Sequence, residues 1–196
     1  GMVNPSNERS LFFAIIPPGP MHINGLKGFA TDNAFKLVVA AGFLASLVLD
    51  GVIRLKNKTN IFAEDIRQLP IGEDSKYWGS IARRALYLNG LSDAYQPLWN
   101  IKELIGNDDG LLTGQSLSIS GSGKESTFAL RNLSQRRQAY VELDALVALS
   151  FGVGSVELSQ VYKILFPVLS MYDRQSGFDR SVELARAHQA FQERGW

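Results

Sequence analysis

Ser10-Leu11-Phe12-Phe13-Ala14-Ile15-Ile16, closed by Pro17-Pro18-Gly19-Pro20, is the stretch on which the fold class turns. Its aromatic and β-branched residues favour an extended, buried segment. The prolines end it abruptly, because proline fixes φ and removes a ladder donor. The run therefore reads as a buried strand followed by a rigid loop. Residues 21–31 hold Ile23, Leu26 and Phe29 between polar and glycine breaks, which allows a second, irregular strand. Asp32 or Asn33 can then cap a helix from Ala34 to about Leu55, whose apolar residues nearly encircle the axis as far as Leu49. Asn60 to Ile71 reads as a turn and a short return strand, stopped by Pro70 and Gly72.

From Glu73 onward the periodicity becomes helical. Tyr77, Trp78, Ile81, Ala85 and Leu88 share one helix face, and Asn89-Gly90 closes that helix. A second helix runs from about Ser92 to Ile105, with Pro97 in its first turns. Residues 106–123, rich in Gly, Ser and Asp, read as a loop. Helices are expected over Ser134 to Leu149, from a Ser155 cap to Phe166, and over Ser181 to Glu193. The expected architecture is α+β. It has a strand-containing part around a buried helix over residues 1–72, a helical connector with a Gly/Ser-rich loop over 73–123, and a helical part over 124–196.

The 196 residues are 45% hydrophobic and 20% charged, a globular mix able to bury a core. Twenty Lys+Arg against nineteen Asp+Glu leave a net charge of +1, so any nucleic acid must meet a local basic patch. The absence of cysteine excludes disulfides, thiolate nucleophiles and cysteine metal sites, and two distant histidines, His22 and His188, argue against a histidine-based metal site. The most apolar run, Leu37 to Leu49, is shorter than the roughly 20 residues needed to span a bilayer. A cytoplasmic chain without a membrane partner is expected. Gly1 ahead of Met2 reads as a cleavage remnant and is set aside.

Catalytic motifs are weak throughout. Ser118 to Glu125 resembles half of a phosphate-binding loop, but it lacks the first glycine and the Ser or Thr after Lys124, so a solvated glycine loop is the better reading. His22 has no carboxylate near it in sequence, and the pairs Glu64-Asp65 and Asp108-Asp109 sit beside turn signals, where caps and solvated loops are expected. His188 is expected at the surface. The basic residues are more informative. Arg54, Lys56, Asn57, Lys58 and Asn60 follow the buried helix and combine phosphate-contacting cations with amides able to read base edges. Arg136 and Arg137 form a second group, with nearby Arg131. The plain alternative for both is a solvated helix end or face.

Two segments, taken in order, resemble adenine-specific DNA methyltransferases of the type II and type IIG restriction–modification systems and related phage-defence systems. The first is Glu8 to Gly19 with His22-Ile23-Asn24, then Leu44 to Asp50, Arg54, Lys56, Asn60-Ile61, and Asp65 to Pro70; it resembles the opening of the target-recognition region. The second is Arg136 to Ala148, then Phe151-Gly152 and Phe166-Pro167, which resembles the C-terminal tail. The chain departs from the family in having Ala45 where members commonly carry Asn, and in lacking the methyl-donor glycine loop and the Asn/Asp-Pro-Pro-Tyr/Phe catalytic loop; Asn4-Pro5-Ser6 does not supply it. The resemblance implies a non-catalytic fragment that binds duplex DNA and selects the site. Its DNA-binding candidates are Arg54, Lys56, Asn57, Lys58, Asn60, Arg136 and Arg137, with no catalytic or cofactor residue in this chain. S-adenosylmethionine is expected in a catalytic methyltransferase domain preceding this chain or on another polypeptide. A protein-interaction scaffold within a phage-defence complex is the alternative.

Overall fold

The computed structural model describes residues 6–21, 26–58, 60–72, 75–104 and 129–194. The described residues contain no β-strand and 63% of them are helical, so the α+β expectation is corrected to an all-helical fold. Among the described residues nine α-helices follow in order: α1 Ala34–Leu44, α2 Leu47–Leu55, α3 Ala63–Arg67, α4 Trp78–Asn89, α5 Gln96–Trp99, α6 Leu133–Ser150, α7 Ser155–Leu165, α8 Pro167–Gln175 and α9 Arg180–Glu193. Short 3-10 turns at Asp93–Tyr95 and Lys102–Leu104 flank α5, where one longer helix is expected from the periodicity.

The stretch Ser10 to Ile16 forms neither strand nor helix. Side chains from the helical part take several of its backbone groups instead. Both Asp50 carboxylate oxygens accept the Ser10 N–H at 3.1 Å, Oδ1 also accepts the Leu11 N–H, and Asn89 Oδ1 accepts the Ile15 N–H at 3.1 Å. The Tyr95 hydroxyl donates to the Ile15 carbonyl. Leu11 and Ile15 are buried while Phe12 is 71% exposed. A peptide chain needs its N–H and C=O groups paired, but side chains serve as well as a neighbouring strand. The expected return strand before Pro70 is also absent, and α3 occupies that place.

The long buried helix expected over 34–55 is two helices, bent by 62°. Asn33 caps α1, accepting the Lys36 N–H at 2.8 Å. Ser46 ends its continuation by capping α2, accepting the Leu49 N–H and donating to the Phe43 carbonyl. No single described helix is long and apolar enough to cross a membrane; α1 and α2 pass that test only as this bent pair. Their apolar residues lie inside the molecule, with Val38, Phe43, Leu47 and Leu49 almost wholly buried. Leu47→Ala removes a side chain with no exposure and is expected to cost about 2–5 kcal/mol. Chemical denaturation checks this, and a loss under half a kcal/mol would contradict that burial.

α6 is the axis of the fold, packed against α9, α4, α2, α7 and α1. Every residue from Gln138 to Ala148 except half-exposed Tyr140 is buried, so polar Gln138, Glu142 and Asp144 need partners inside. One hydrophobic core runs continuously from Leu11 to Phe191 and takes in residues from all three expected parts of the chain. α1 and α4 approach so closely at Gly42 that a Cβ there would lie 2.4 Å from Ile81 Cγ2. Only glycine permits that contact.

Candidate nucleic-acid interface

The end of α2 and the start of α6 hold the seven residues selected from the sequence, and most are bound within the chain. Arg54 is packed over the Phe166 ring, 4.4 Å from its centroid, and donates to the carbonyls of Leu165 at 2.7 Å and Asn7 at 2.9 Å. Its Nε lies 3.7 Å from Asp50. This guanidinium ties α2, the α7 terminus and the N-terminal segment together. Arg136 donates to the Leu88 and Leu130 carbonyls at 2.9 and 2.8 Å, which pins the start of α6 to the end of α4. Both arginines have structural work that a phosphate would have to displace.

The loop after α2 is similarly engaged. Lys58 donates to Asp65 and Lys56 lies 3.9 Å from the same carboxylate, with Gln68 Oε1 also in reach. Asp65 in turn accepts the Phe62 N–H at 3.0 Å, the helix-cap role its sequence context implies. The hydrogen bond from Lys58, with that from Phe62, holds the Asp65 carboxyl below its usual range. Asn57 takes a left-handed backbone, φ +48°, and turns the chain out of α2. Asn60 is exposed. The cluster is real in space, but its two lysines share one carboxylate.

Below it lies a charged node that local sequence patterns gave no means to find. Asp144 of α6 is wholly buried and accepts the Leu47 N–H, at the start of α2, at 2.7 Å. Arg9 Nη2 and Arg180 Nη1 stand 3.8 and 3.9 Å from its other oxygen. Arg9 also donates to the Ala45 carbonyl and lies over the Tyr140 ring. Arg180 is held by Asp173, which also accepts from the Tyr162 hydroxyl at 2.9 Å. Burial outweighs the two arginines and pushes the Asp144 carboxyl up to about 6. Asp50, facing Arg9, Arg54 and the Ser10 and Leu11 amides, is also raised by burial.

No family model matches this chain, nor does any curated protein or solved structure match it.

Arg137 leads to a different face. It donates to Ser176 Oγ at 2.6 Å and stacks on the Phe178 ring, 4.6 Å from its centroid. Phe178 lines a cleft of about 660 Å³ between α7, α8 and the start of α9, whose wall includes Lys163 and Arg174. These two cations lie on separate helices eleven residues apart, so no local run marks them in sequence. His188 is buried, against expectation, and its Nε2 is 2.9 Å from the Val153 carbonyl. Among the described residues no group of His, Asp and Glu could hold a metal ion. His22, Asn24, the Asp108-Asp109 pair and the Ser118 to Glu125 motif lie outside the described residues.

Proposed function

We propose that this chain is a non-catalytic helical module of an adenine-specific DNA methyltransferase or combined restriction–modification enzyme, cytoplasmic, with duplex DNA as its partner. The observation that carries the reading is the convergence of its two family-like segments on one buried node. Arg9, Asp50 and Arg54 come from the first segment, and Tyr140, Asp144 and Phe166 from the second. Arg9 faces Asp144 and Tyr140, Arg54 covers Phe166, and Asp144 accepts the Leu47 N–H. Two stretches that resemble the same family, and that need each other to satisfy buried charge, support one shared pattern better than two unrelated ones. Methyl transfer, which requires an extruded adenine and S-adenosylmethionine, belongs to a catalytic domain outside this chain.

The second reading is an interaction scaffold in a defence complex. It is favoured by the internal commitment of Arg54, Arg136 and Lys58. Duplex titration across salt separates the two. The first reading expects binding that weakens steeply between about 50 and 200 mM salt, because releasing the phosphates' counterions gains less entropy as the bulk salt rises. Absence of binding at the lowest salt removes DNA as the partner and leaves the scaffold reading.

A further inference from the structure

We propose that the cleft between α7, α8 and the first turn of α9 is the phosphate-contacting surface for duplex DNA, an inference that rests on the DNA-binding reading above. Lys163 of α7 and Arg174 of α8 line it, and both are exposed. Neither forms an ion pair with a described carboxylate, whereas Lys56 and Lys58 already share Asp65. A phosphate meeting Lys58 must displace that carboxylate, and one meeting Lys163 or Arg174 displaces only water.

The remaining lining suits a sugar–phosphate backbone. Ser170 and Ser181 bring hydroxyls and Phe178 brings a half-buried ring. Arg137 of α6 stacks on Phe178 and donates to Ser176 Oγ beside the cleft, outside its lining. Gly177, at φ +68°, makes the tight turn that brings the α8 and α9 ends together here. Arg180 beneath is neutralised by Asp173, so it shapes the floor and leaves Lys163 and Arg174 to set the charge. Cations with hydroxyls on several elements position a duplex through its phosphates without reading sequence. One group opposes this. Asp179 lines the same cleft with its carboxylate, which caps α9 by accepting the Val182 N–H at 3.2 Å.

That opposition makes the test sharp. Anisotropy of a labelled duplex is followed over a salt series with the whole chain, and circular dichroism checks that each variant is folded. Lys163→Ala with Arg174→Ala is expected to weaken binding about tenfold or more and to lower the salt slope by roughly two. Asp179→Asn keeps a capping side chain but removes the negative charge, and is expected to tighten binding about twofold or more. Lys56→Ala with Lys58→Ala is expected to leave the slope unchanged. If the wild-type chain binds but the cleft variants bind as it does, the cleft is overturned while the DNA reading stands. If the wild-type chain does not bind, both fall.

Discussion

Asp144→Ala is expected to lower stability by about 3–5 kcal/mol at neutral pH, the cost of removing one partner from a buried charge cluster. Two arginines lose the carboxylate between them, and the Leu47 N–H at the start of α2 loses its acceptor in a site closed to water. Asp144→Asn is the informative companion. It keeps an oxygen for Leu47 and removes only the charge. The folded carboxyl titrates at about 6, above its ordinary 3.8, so the native state binds the proton more tightly than the unfolded chain does. The proton-linked part of the Asp144 contribution is therefore complete below 3.8 and lost as pH rises through 6, while the bond to the Leu47 N–H and the two arginine contacts persist at neutral pH. The gap between the two values corresponds to roughly 3 kcal/mol. Urea unfolding from pH 4 to 7 should show that component of the slope in the wild type and not in Asp144→Asn. Equal slopes in both proteins would refute the assignment. The deficit of Asp144→Ala should be larger at pH 4 than at pH 7.

Arg84→Ala is expected to cost a similar 3–5 kcal/mol by a different route. Arg84 is wholly buried on α4, donates to Glu142 at 2.9 Å and to the Ser80 carbonyl at 3.0 Å, and packs 4.7 Å from the centroid of Phe191. The ion pair thus joins α4 to α6, and the guanidinium face joins both to α9. Truncation leaves the buried Glu142 carboxylate without that guanidinium and opens space beside Phe191. Gln138, which donates to Glu142 at 3.1 Å, cannot balance a full charge. Arg84→Met with Glu142→Leu removes both charges and keeps most of the volume, so it should recover most of the loss; buried pairs are often replaced by apolar residues at little cost. Denaturation midpoints of the single and double variants form the cycle that decides this. A double variant as unstable as the sum of its singles would mean that the residues act independently.

Much of the helical framework was legible in the chain itself. Asn33 as a cap, the periodicity of α4, the extents of α6 and α9, and the burial of Leu47 rest on signals within a few residues of one another. The α1–α2 break was also present locally, in the Ser46 hydroxyl inside an apolar run, but a helix hydrophobic on all sides masks such a cap. Ser10 to Ile16 could not be resolved in the same way. An apolar, β-branched run specifies extended backbone, and its partner is decided by what lies opposite. Here that is Asp50 and Asn89, 40 and 74 residues away, rather than another strand.

The charged residues divide along the same line. Composition and spacing showed that Arg54, Lys56, Lys58, Arg136 and Arg137 were gathered near helix ends. Only packing decided which of them were already occupied, since a cation's availability depends on the carbonyl or carboxylate that folding brings to it. Arg54 found Leu165, Arg136 found Leu88, and Lys58 found Asp65, while Lys163 and Arg174 came to one cleft from different helices. The sequence by itself placed α4, α6 and α9 and the start of α1, because capping and periodicity act over one or two turns. The tertiary structure decided that Glu142 and Asp144 would be buried and what would neutralise them, because desolvating a charge is tolerable only where a distant partner arrives with it.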